Sequence, residues 1–258
     1  MCRADCWKTG PQDLDSQRAA PRMPRRRANI ESGRGCSRLI APVEMAAMSR
    51  LTAERAQERL AAGDALDQLW SETMGLPEGD AKEKPLRQVA ALLEREGVAY
   101  ALIGGVAVQL HTEEPRTTLD IDLAVRTYAE VPREALLRAG FEHTGRHEHI
   151  DDWCAPGAGS LKARTAIQFS AEDHGLAEAV EHASVVELGE GVRLRVAAVE
   201  DLIALKLLAA EEPKRRRSKR EHDLGDVSAL LEEHPEAESP ALLERVRSVR
   251  AKLHGPGT

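Results

Sequence analysis

Ala-Leu-Ile-Gly-Gly-Val-Ala-Val-Gln-Leu (residues 101–110) and Arg-Thr-Thr-Leu-Asp-Ile-Asp-Leu-Ala-Val (residues 116–125) are the two stretches that decide the fold. The first predicts a short apolar strand that ends at two glycines and is followed by a helix. The second predicts a strand on which Asp120 and Asp122 share one face and Leu119, Ile121 and Leu123 the other, because side chains alternate along a strand.

The paired acids and the glycines predict a nucleotide and metal site. Two neighbouring carboxylates repel each other unless a divalent cation neutralises them, and hard oxygen ligands suit Mg²⁺, which also binds nucleotide phosphates. Gly104 and Gly105 let the backbone approach phosphate at a helix N-terminus. The alternatives are a solvated strand face for Asp120 and Asp122 and a tight turn for the glycines. Asp is a poor strand former, so the combination favours the site.

The surrounding pattern places strands in the middle of the chain and helices on either side. Helical spacing of apolar residues predicts helices over residues 51–74, 85–96, 106–111, 132–139, 199–210, 218–233 and 240–253. Short apolar or alternating runs predict strands over residues 98–103, 119–125, 141–153 and 165–170. The predicted class is α+β, with helices flanking the strands and a C-terminal helical region.

Charge and composition divide the 258 residues further. The net charge is −7, but residues 1–50 carry ten Lys and Arg against five acids, so the rest of the chain carries −12. Residues 1–44 lack apolar periodicity, which favours a disordered basic leader over an arm that contacts nucleic acid. We predict a helical extension over residues 45–80, a catalytic domain over 81–198 and a helical region over 199–258.

Several classes of protein are excluded. No apolar run approaches the roughly 18 residues of a membrane span, which predicts a soluble protein. Aromatic residues make up only 3% of the chain, too few for extensive stacking on single-stranded bases. Three of the four cysteines (Cys2, Cys6 and Cys36, but not Cys154) lie in the leader, which indicates a reducing, cytoplasmic setting. Zinc binding by these three would lack a fourth ligand.

The order strand, Gly-Gly, helix and Arg-x-Thr-x-Asp-x-Asp resembles the minimal nucleotidyltransferases of the DNA polymerase β superfamily, especially the bacterial branch of AbiEii-like toxins. The resemblance continues in Val-Ala-Ala-Val-Glu-Asp-Leu-Ile-Ala-Leu-Lys-Leu-Leu-Ala-Ala (residues 196–210), similar to a family helix with a functional lysine, here Lys206. Residues 215–231 are similar to the branch's Arg-rich, Asp-x-x-Asp helix, with Asp223 and Asp226 in a structural role. The resemblance covers about residues 86–231 and implies a nucleotidyltransferase fold with a mixed β-sheet.

The resemblance implies Mg²⁺-dependent transfer of an NMP from an NTP such as ATP to an acceptor hydroxyl. Asp120 and Asp122 would bind the metal, and Gly104 and Gly105 would border the triphosphate. Lys206 would offset phosphate charge; if it has no such role, it snorkels from a buried helix. Arg116 and Thr118 would brace the loop or contact phosphate.

One position departs from the superfamily pattern. Neutral Gln168 stands where a third carboxylate is expected, and an amide cannot act as a general base. Glu172 or Asp173 would be the nearest substitutes in sequence. The alternative function is therefore a catalytically impaired module that binds nucleotide or a partner.

Two further segments carry residue types with functional potential. The residues typical of metal sites are His143, His147, His149, Asp151, Asp152 and Cys154, with His147, His149 and Asp151 expected on one strand face; a polar hairpin edge is the alternative. The basic run over residues 214–220 is either a solvated face or a patch that attracts an NTP or RNA. By analogy with the family, the acceptor is an RNA, such as a tRNA end, or a protein hydroxyl, and a toxin–antitoxin context implies an antitoxin partner.

Overall fold

The computed structural model describes residues 51–74, 82–118, 120–147, 149–157, 160–161, 164–172, 175–244 and 246–247. The predicted leader, its three cysteines, Leu119 and Asp173 lie outside these ranges. The described residues include the helices α1 Ala53–Met74, α2 Glu83–Arg95, α3 Gly104–His111, α4 Arg133–Arg138, α5 Leu176–His182, α6 Val199–Glu211 and α7 Arg217–Glu233, and residues 240–244 and 246–247 are helical as well. The strands are β1 Tyr100–Ile103, β2 Asp120–Val125, β3 Glu142–His147, β4 Ile150–Cys154, β5 Ala166–Ser170, β6 Ser184–Glu187 and β7 Arg193–Val196.

The strands form one mixed sheet in the order β3-β4-β5-β2-β1-β7-β6. Strand β2 runs antiparallel to β1 and parallel to β5, while β1 runs parallel to β7. The pairs β3–β4, β4–β5 and β6–β7 are antiparallel. Leu102, Ile121, Leu123 and Ile167 are fully buried at the centre of the sheet. The predicted α+β class, a mixed sheet flanked by helices, is confirmed.

Helix α2 and strand β1 directly precede the two glycines, Gly104 and Gly105. The apolar side of α2 is buried, including Leu86, Val89 and Leu93. The helix ends at Arg95, and the chain turns away at Gly97, whose φ of +68° suits glycine; the N–H of Val98 donates to the carbonyl of Leu93 at 2.9 Å. All four residues of β1 are buried. Helix α3 then begins at Gly104, two residues before the predicted start, so no loop separates strand from helix.

Two regions differ from the sequence-based expectation. Residues 141–153 form the antiparallel hairpin of β3 and β4 rather than continuous strand structure. Residues 176–196, to which the sequence pattern assigns no element, form α5, β6 and β7. A turn over residues 189–191, with positive φ at all three, joins β6 to β7. Among the described residues, no helix has the length and apolar character that crossing a bilayer requires.

Candidate active site

Asp120 and Asp122 open strand β2 on its partly exposed face, as the alternation predicts. Ile121 and Leu123 between and after them are completely buried on the other face. Burial, together with the neighbouring Asp120 carboxylate, raises the pKa of Asp122 to about 7. The charge of Lys206 and the N–H of Gly105 act in the opposite direction. Asp122 is therefore a carboxylate in need of a nearby positive charge.

The two glycines lie directly against these acids. A Cβ atom on Gly104, which has φ +67°, would be 1.9 Å from Oδ2 of Asp122. A Cβ on Gly105 would be 2.6 Å from Oγ1 of Thr118. The pairing of Ile103 with Asp122 places the start of helix α3 beside the acids. The absence of side chains thus allows the helix N-terminus and the carboxylates to occupy neighbouring positions.

Arg116 and Thr118 both contact acidic side chains. The Oγ1 of Thr118 donates to Oδ1 of Asp120 at 3.3 Å, and its N–H donates to Oδ1 of Asp67 at 3.1 Å. The guanidinium of Arg116 pairs with Asp226 of helix α7. Both residues therefore brace the chain that enters strand β2.

Lys206 occupies the middle of a chain of alternating charges. Its Nζ lies 3.1 Å from Oδ1 of Asp223 and 2.8 Å from Oδ2 of Asp226. Arg215 pairs with Asp223 at 2.5 Å, and Arg116 pairs with Asp226. Burial alone would raise the pKa of Asp226, but its hydrogen bonds and ion pairs with Arg116 and Lys206 hold that pKa below its usual value. Three cations share two carboxylates, which leaves an excess of one positive charge.

Gln168 lies beside Asp122, at the centre of a row across three strands. Gln168 pairs in register with Asp122 of β2 on one side and with Asp152 of β4 on the other. Directly paired residues point to the same face of a sheet, so Asp152 follows Gln168 in the row. Glu172 is exposed, and within the described ranges no three His, Cys, Asp or Glu residues are arranged to hold a metal ion.

In the described part of the histidine-rich hairpin, the side chains do not form a group that could hold a metal ion. Strand β3 ends at His147 and β4 begins at Ile150, so His147 and His149 flank the turn; the prediction that they share a strand face is wrong. The buried carboxylate of Asp151 binds Arg133, His143 and Trp153 at 2.7, 2.8 and 3.1 Å. Both carboxylate oxygens of Asp151 are therefore engaged by protein side chains. The Nε2 of His147 lies 3.5 Å from Asp152.

Sequence reasoning missed Asp67 and Lys82. Lys82 is only 7% exposed; its Nζ donates to the carbonyl of Thr118 at 2.5 Å and pairs with Asp67. Burial lowers the pKa of Lys82 to about 8, against the opposing effects of Asp64 and Asp120. The available signal was the spacing of Asp64 and Asp67, which places both on one face of α1.

Solved structures with limited similarity include an antigenic nucleotidyltransferase-like protein from Paracoccidioides brasiliensis, at 18% identity and a TM-score of 0.46 over 68% of this chain and 90% of that one. JHP933 from Helicobacter pylori is 19% identical, with a TM-score of 0.44 over 64% of this chain and 71% of that one. The antibiotic-resistance factor ANT(2'')-Ia is 16% identical, with a TM-score of 0.42 over 66% and 90%. No curated protein matches.

The family model described as nucleotidyl transferase AbiEii toxin, type IV TA system, matches residues 89–257. This range contains the two glycines, both acids of strand β2, Lys206 and the charge chain around it. The match spans more than half of the sequence and agrees with the resemblance inferred from the motifs. The chain belongs to the AbiEii nucleotidyltransferase toxin family.

Proposed function

We propose that the protein is an Mg²⁺-dependent nucleotidyltransferase that moves an NMP from an NTP to an acceptor hydroxyl. The observation that carries this proposal is the juxtaposition of Asp120 and Asp122 with the glycine-led N-terminus of helix α3. Carboxylates for a cation and a helix N-terminus for phosphates are the two requirements of a metal–nucleotide site.

The donor set fits a hard divalent cation. Asp122 is half-buried, lies against a glycine and shares its strand face with a second carboxylate, so its environment disfavours an uncompensated negative charge. Asp120 and Asp122 would hold Mg²⁺, with remaining ligands from water and phosphate. When bound, the ion supplies charge neutralisation at the carboxylates and the phosphates.

The other residues bind and orient the nucleotide. Gly104 and Gly105 border the triphosphate, and Lys206 offsets its charge. Arg116 and Thr118 hold the entry to β2 through Asp226 and Asp120. The acceptor oxygen forms a bond to the α-phosphorus while the bond to the β-phosphate oxygen breaks, and pyrophosphate leaves with that electron pair.

Asp152 is our candidate for the general base. The acceptor hydroxyl must lose a proton, and Gln168 beside Asp122 cannot accept one. The next residue in that row is Asp152, a partly exposed carboxylate with His147 3.5 Å away. We therefore assign the acceptor side of the site to strand β4.

An RNA fits the charges near α7 as the acceptor. Lys214, Arg216 and Lys219 are exposed. Exposed cations beside the Lys206 chain would bind the phosphates of an RNA such as a tRNA end. A protein hydroxyl is the other acceptor class. Family membership supports a role as the toxin of a cytoplasmic toxin–antitoxin pair, with the antitoxin as a separate protein.

A second candidate is a catalytically impaired module that binds nucleotide or a partner. The neutral side chain of Gln168 next to Asp122 favours it, as does the lack of a three-residue metal cluster in the described part of the chain. This candidate predicts Mg²⁺-dependent nucleotide binding without transfer.

The test is transfer of label from each α-³²P-labelled NTP to total RNA and cell protein in the presence of Mg²⁺. An Asp120→Asn/Asp122→Asn double variant serves as the control. Label that requires the intact acids would establish transfer and identify the NTP and the acceptor class. Nucleotide binding without label from any NTP would favour the impaired module.

A further inference from the structure

Helix α1 lies before residue 89, where the family match begins, yet it packs on the glycine-led helix α3. A Cβ on Gly63 would be 1.9 Å from Nε2 of Gln109, so the glycine permits close approach. That Nε2 donates to the carbonyl of Arg59 at 2.5 Å, and Nη1 of Arg59 donates to the carbonyl of Leu110 at 2.6 Å. The two helices are therefore joined by polar contacts in both directions.

One turn further along α1, Asp67 contacts Thr118, which lies two residues before the start of strand β2. Its Oδ1 accepts the N–H of Thr118 at 3.1 Å, and its carboxylate also pairs with Lys82. Lys82 in turn donates to the carbonyl of Thr118 at 2.5 Å. Both backbone polar groups of Thr118 are thus bound by two side chains that also bind each other.

This pair, Asp67 and Lys82, forms what we call the Thr118 clamp. Lys82 is almost completely buried, and Asp67 supplies the opposite charge that a buried ammonium requires. Thr118 in turn contacts the candidate metal ligand, because its Oγ1 donates to Oδ1 of Asp120 at 3.3 Å. The position of Thr118 therefore limits the orientation of the Asp120 side chain. The side chain of Thr118 also leaves no space for a Cβ atom at Gly105.

We propose that Asp67 and Lys82 are positioning residues, which hold Thr118 so that Asp120 is oriented for metal binding. This inference rests on the proposed function, since it assigns a purpose to the orientation of Asp120. It makes helix α1 part of the active site, although the helix lies outside the matched family region.

If helix α1 only covered the domain, loss of Asp67 would lower stability without affecting metal binding. Asp64 provides a matched control for this alternative. Asp64 lies one turn from Asp67 and carries the same charge. Its two oxygens accept the N–H groups of Lys82 and Glu83 at 3.1 and 3.2 Å, so it caps α2. No contact joins Asp64 to Thr118 among the hydrogen bonds and ion pairs described above.

The experiment compares Asp67→Ala and Asp64→Ala in the full chain. Binding of Mn²⁺ alone is measured by calorimetric titration, and exchange of the Thr118 amide hydrogen is measured without metal. We expect Asp67→Ala to weaken Mn²⁺ binding at least fivefold and to accelerate Thr118 exchange at least tenfold. Asp64→Ala should lower thermal stability while leaving both values within twofold of wild type.

Asp67→Asn is a second variant, which tests the inference even if Asp67→Ala does not fold. Its amide oxygen can still accept the Thr118 N–H, so we expect Thr118 exchange closer to wild type than in Asp67→Ala. Equal Mn²⁺ affinity in Asp67→Ala, Asp67→Asn and Asp64→Ala would overturn the positioning role while the metal site stands. A wild-type protein that binds no Mn²⁺ would overturn both the metal site and this inference.

Discussion

Gly104 and Asp122 are in such close contact that no other residue type fits at position 104. A Cβ there would lie 1.9 Å from the carboxylate oxygen Oδ2, and the backbone φ of +67° is one that L side chains rarely adopt. The glycine that begins helix α3 is therefore fixed by the acid of the neighbouring strand as well as by its own backbone.

Gly104→Ala should destabilise the protein and disrupt the site. We expect a loss of more than about 2 kcal/mol in the free energy of unfolding, from left-handed strain and the clash with Asp122. Urea unfolding measures it. Gly225→Ala is the control: nothing lies within 4 Å of the added atom inside α7, so stability should rise by about 0.5–1 kcal/mol. Equal stability of Gly104→Ala and wild type would contradict the close contact.

Lys206→Met should impair nucleotide binding more than folding. Asp223 and Asp226 keep Arg215 and Arg116 as partners, so we expect a stability loss of about 1–3 kcal/mol. Loss of a point charge beside the phosphates should weaken Mg²⁺–NTP binding about tenfold, measured by equilibrium titration. The exposed Lys214 offers a control, Lys214→Met, with the same charge change. If the two variants bind NTP equally well, Lys206 has no phosphate-binding role.

Asp152→Asn should slow transfer without affecting binding. If Asp152 takes the proton of the acceptor, the rate of label transfer should fall about 100-fold or more. Affinities for Mn²⁺ and NTP should stay within about twofold, because Gln168 separates this residue from Asp122. Glu142→Gln, which removes an exposed carboxylate from the same hairpin, should transfer at the wild-type rate. Undiminished transfer by Asp152→Asn would move the base elsewhere.

Stability should fall in mild acid because of His111. Burial, with smaller contributions from His234 and Arg59, lowers its pKa from an ordinary 6.5 to about 4, although the bond from Nε2 to the carbonyl of Ala197 opposes the shift. Between these values the unfolded chain binds more protons, so the free energy of unfolding decreases as pH falls.

Its contribution corresponds to about 2 kcal/mol between pH 7.5 and pH 5. Urea unfolding of wild type and His111→Gln at both pH values isolates it, because Gln can still donate to Ala197. The variant should lose about 2 kcal/mol less than wild type over this range. Identical losses would show that His111 does not titrate as a buried neutral group.

The sequence predicts the elements whose signals are local. Apolar periodicity locates α2 and α6, alternation places Asp120 and Asp122 on one face, and the double glycine marks the junction of β1 and α3. Residues 176–196 lack such signals: α5 has only seven residues, and strands β6 and β7 have four residues each. Short elements of this kind are defined by the sheet they join rather than by their own pattern.

The contacts inside the site depend on tertiary structure. The sequence singles out Lys206, Asp223 and Asp226 but contains no signal that the lysine binds both acids, since that requires α6 to pack on α7. Asp67 and Thr118 are 51 residues apart, so their hydrogen bond has no local pattern either. A motif identifies the candidate catalytic and binding residues. The residues that hold them in position can be identified only from the tertiary structure.

The charge chain from Arg116 through Lys206 to Arg215 has a consequence for how the family can vary. Side chains of Asp223, Asp226 and Lys206 are only 3%, 10% and 16% exposed, so water cannot replace a lost partner. Loss of Asp223 removes a partner of Lys206 on helix α6 and of Arg215, and loss of Asp226 removes the partner of Arg116 on the approach to β2. These positions should therefore covary among homologues, with an acid exchanged only where its cation changes as well.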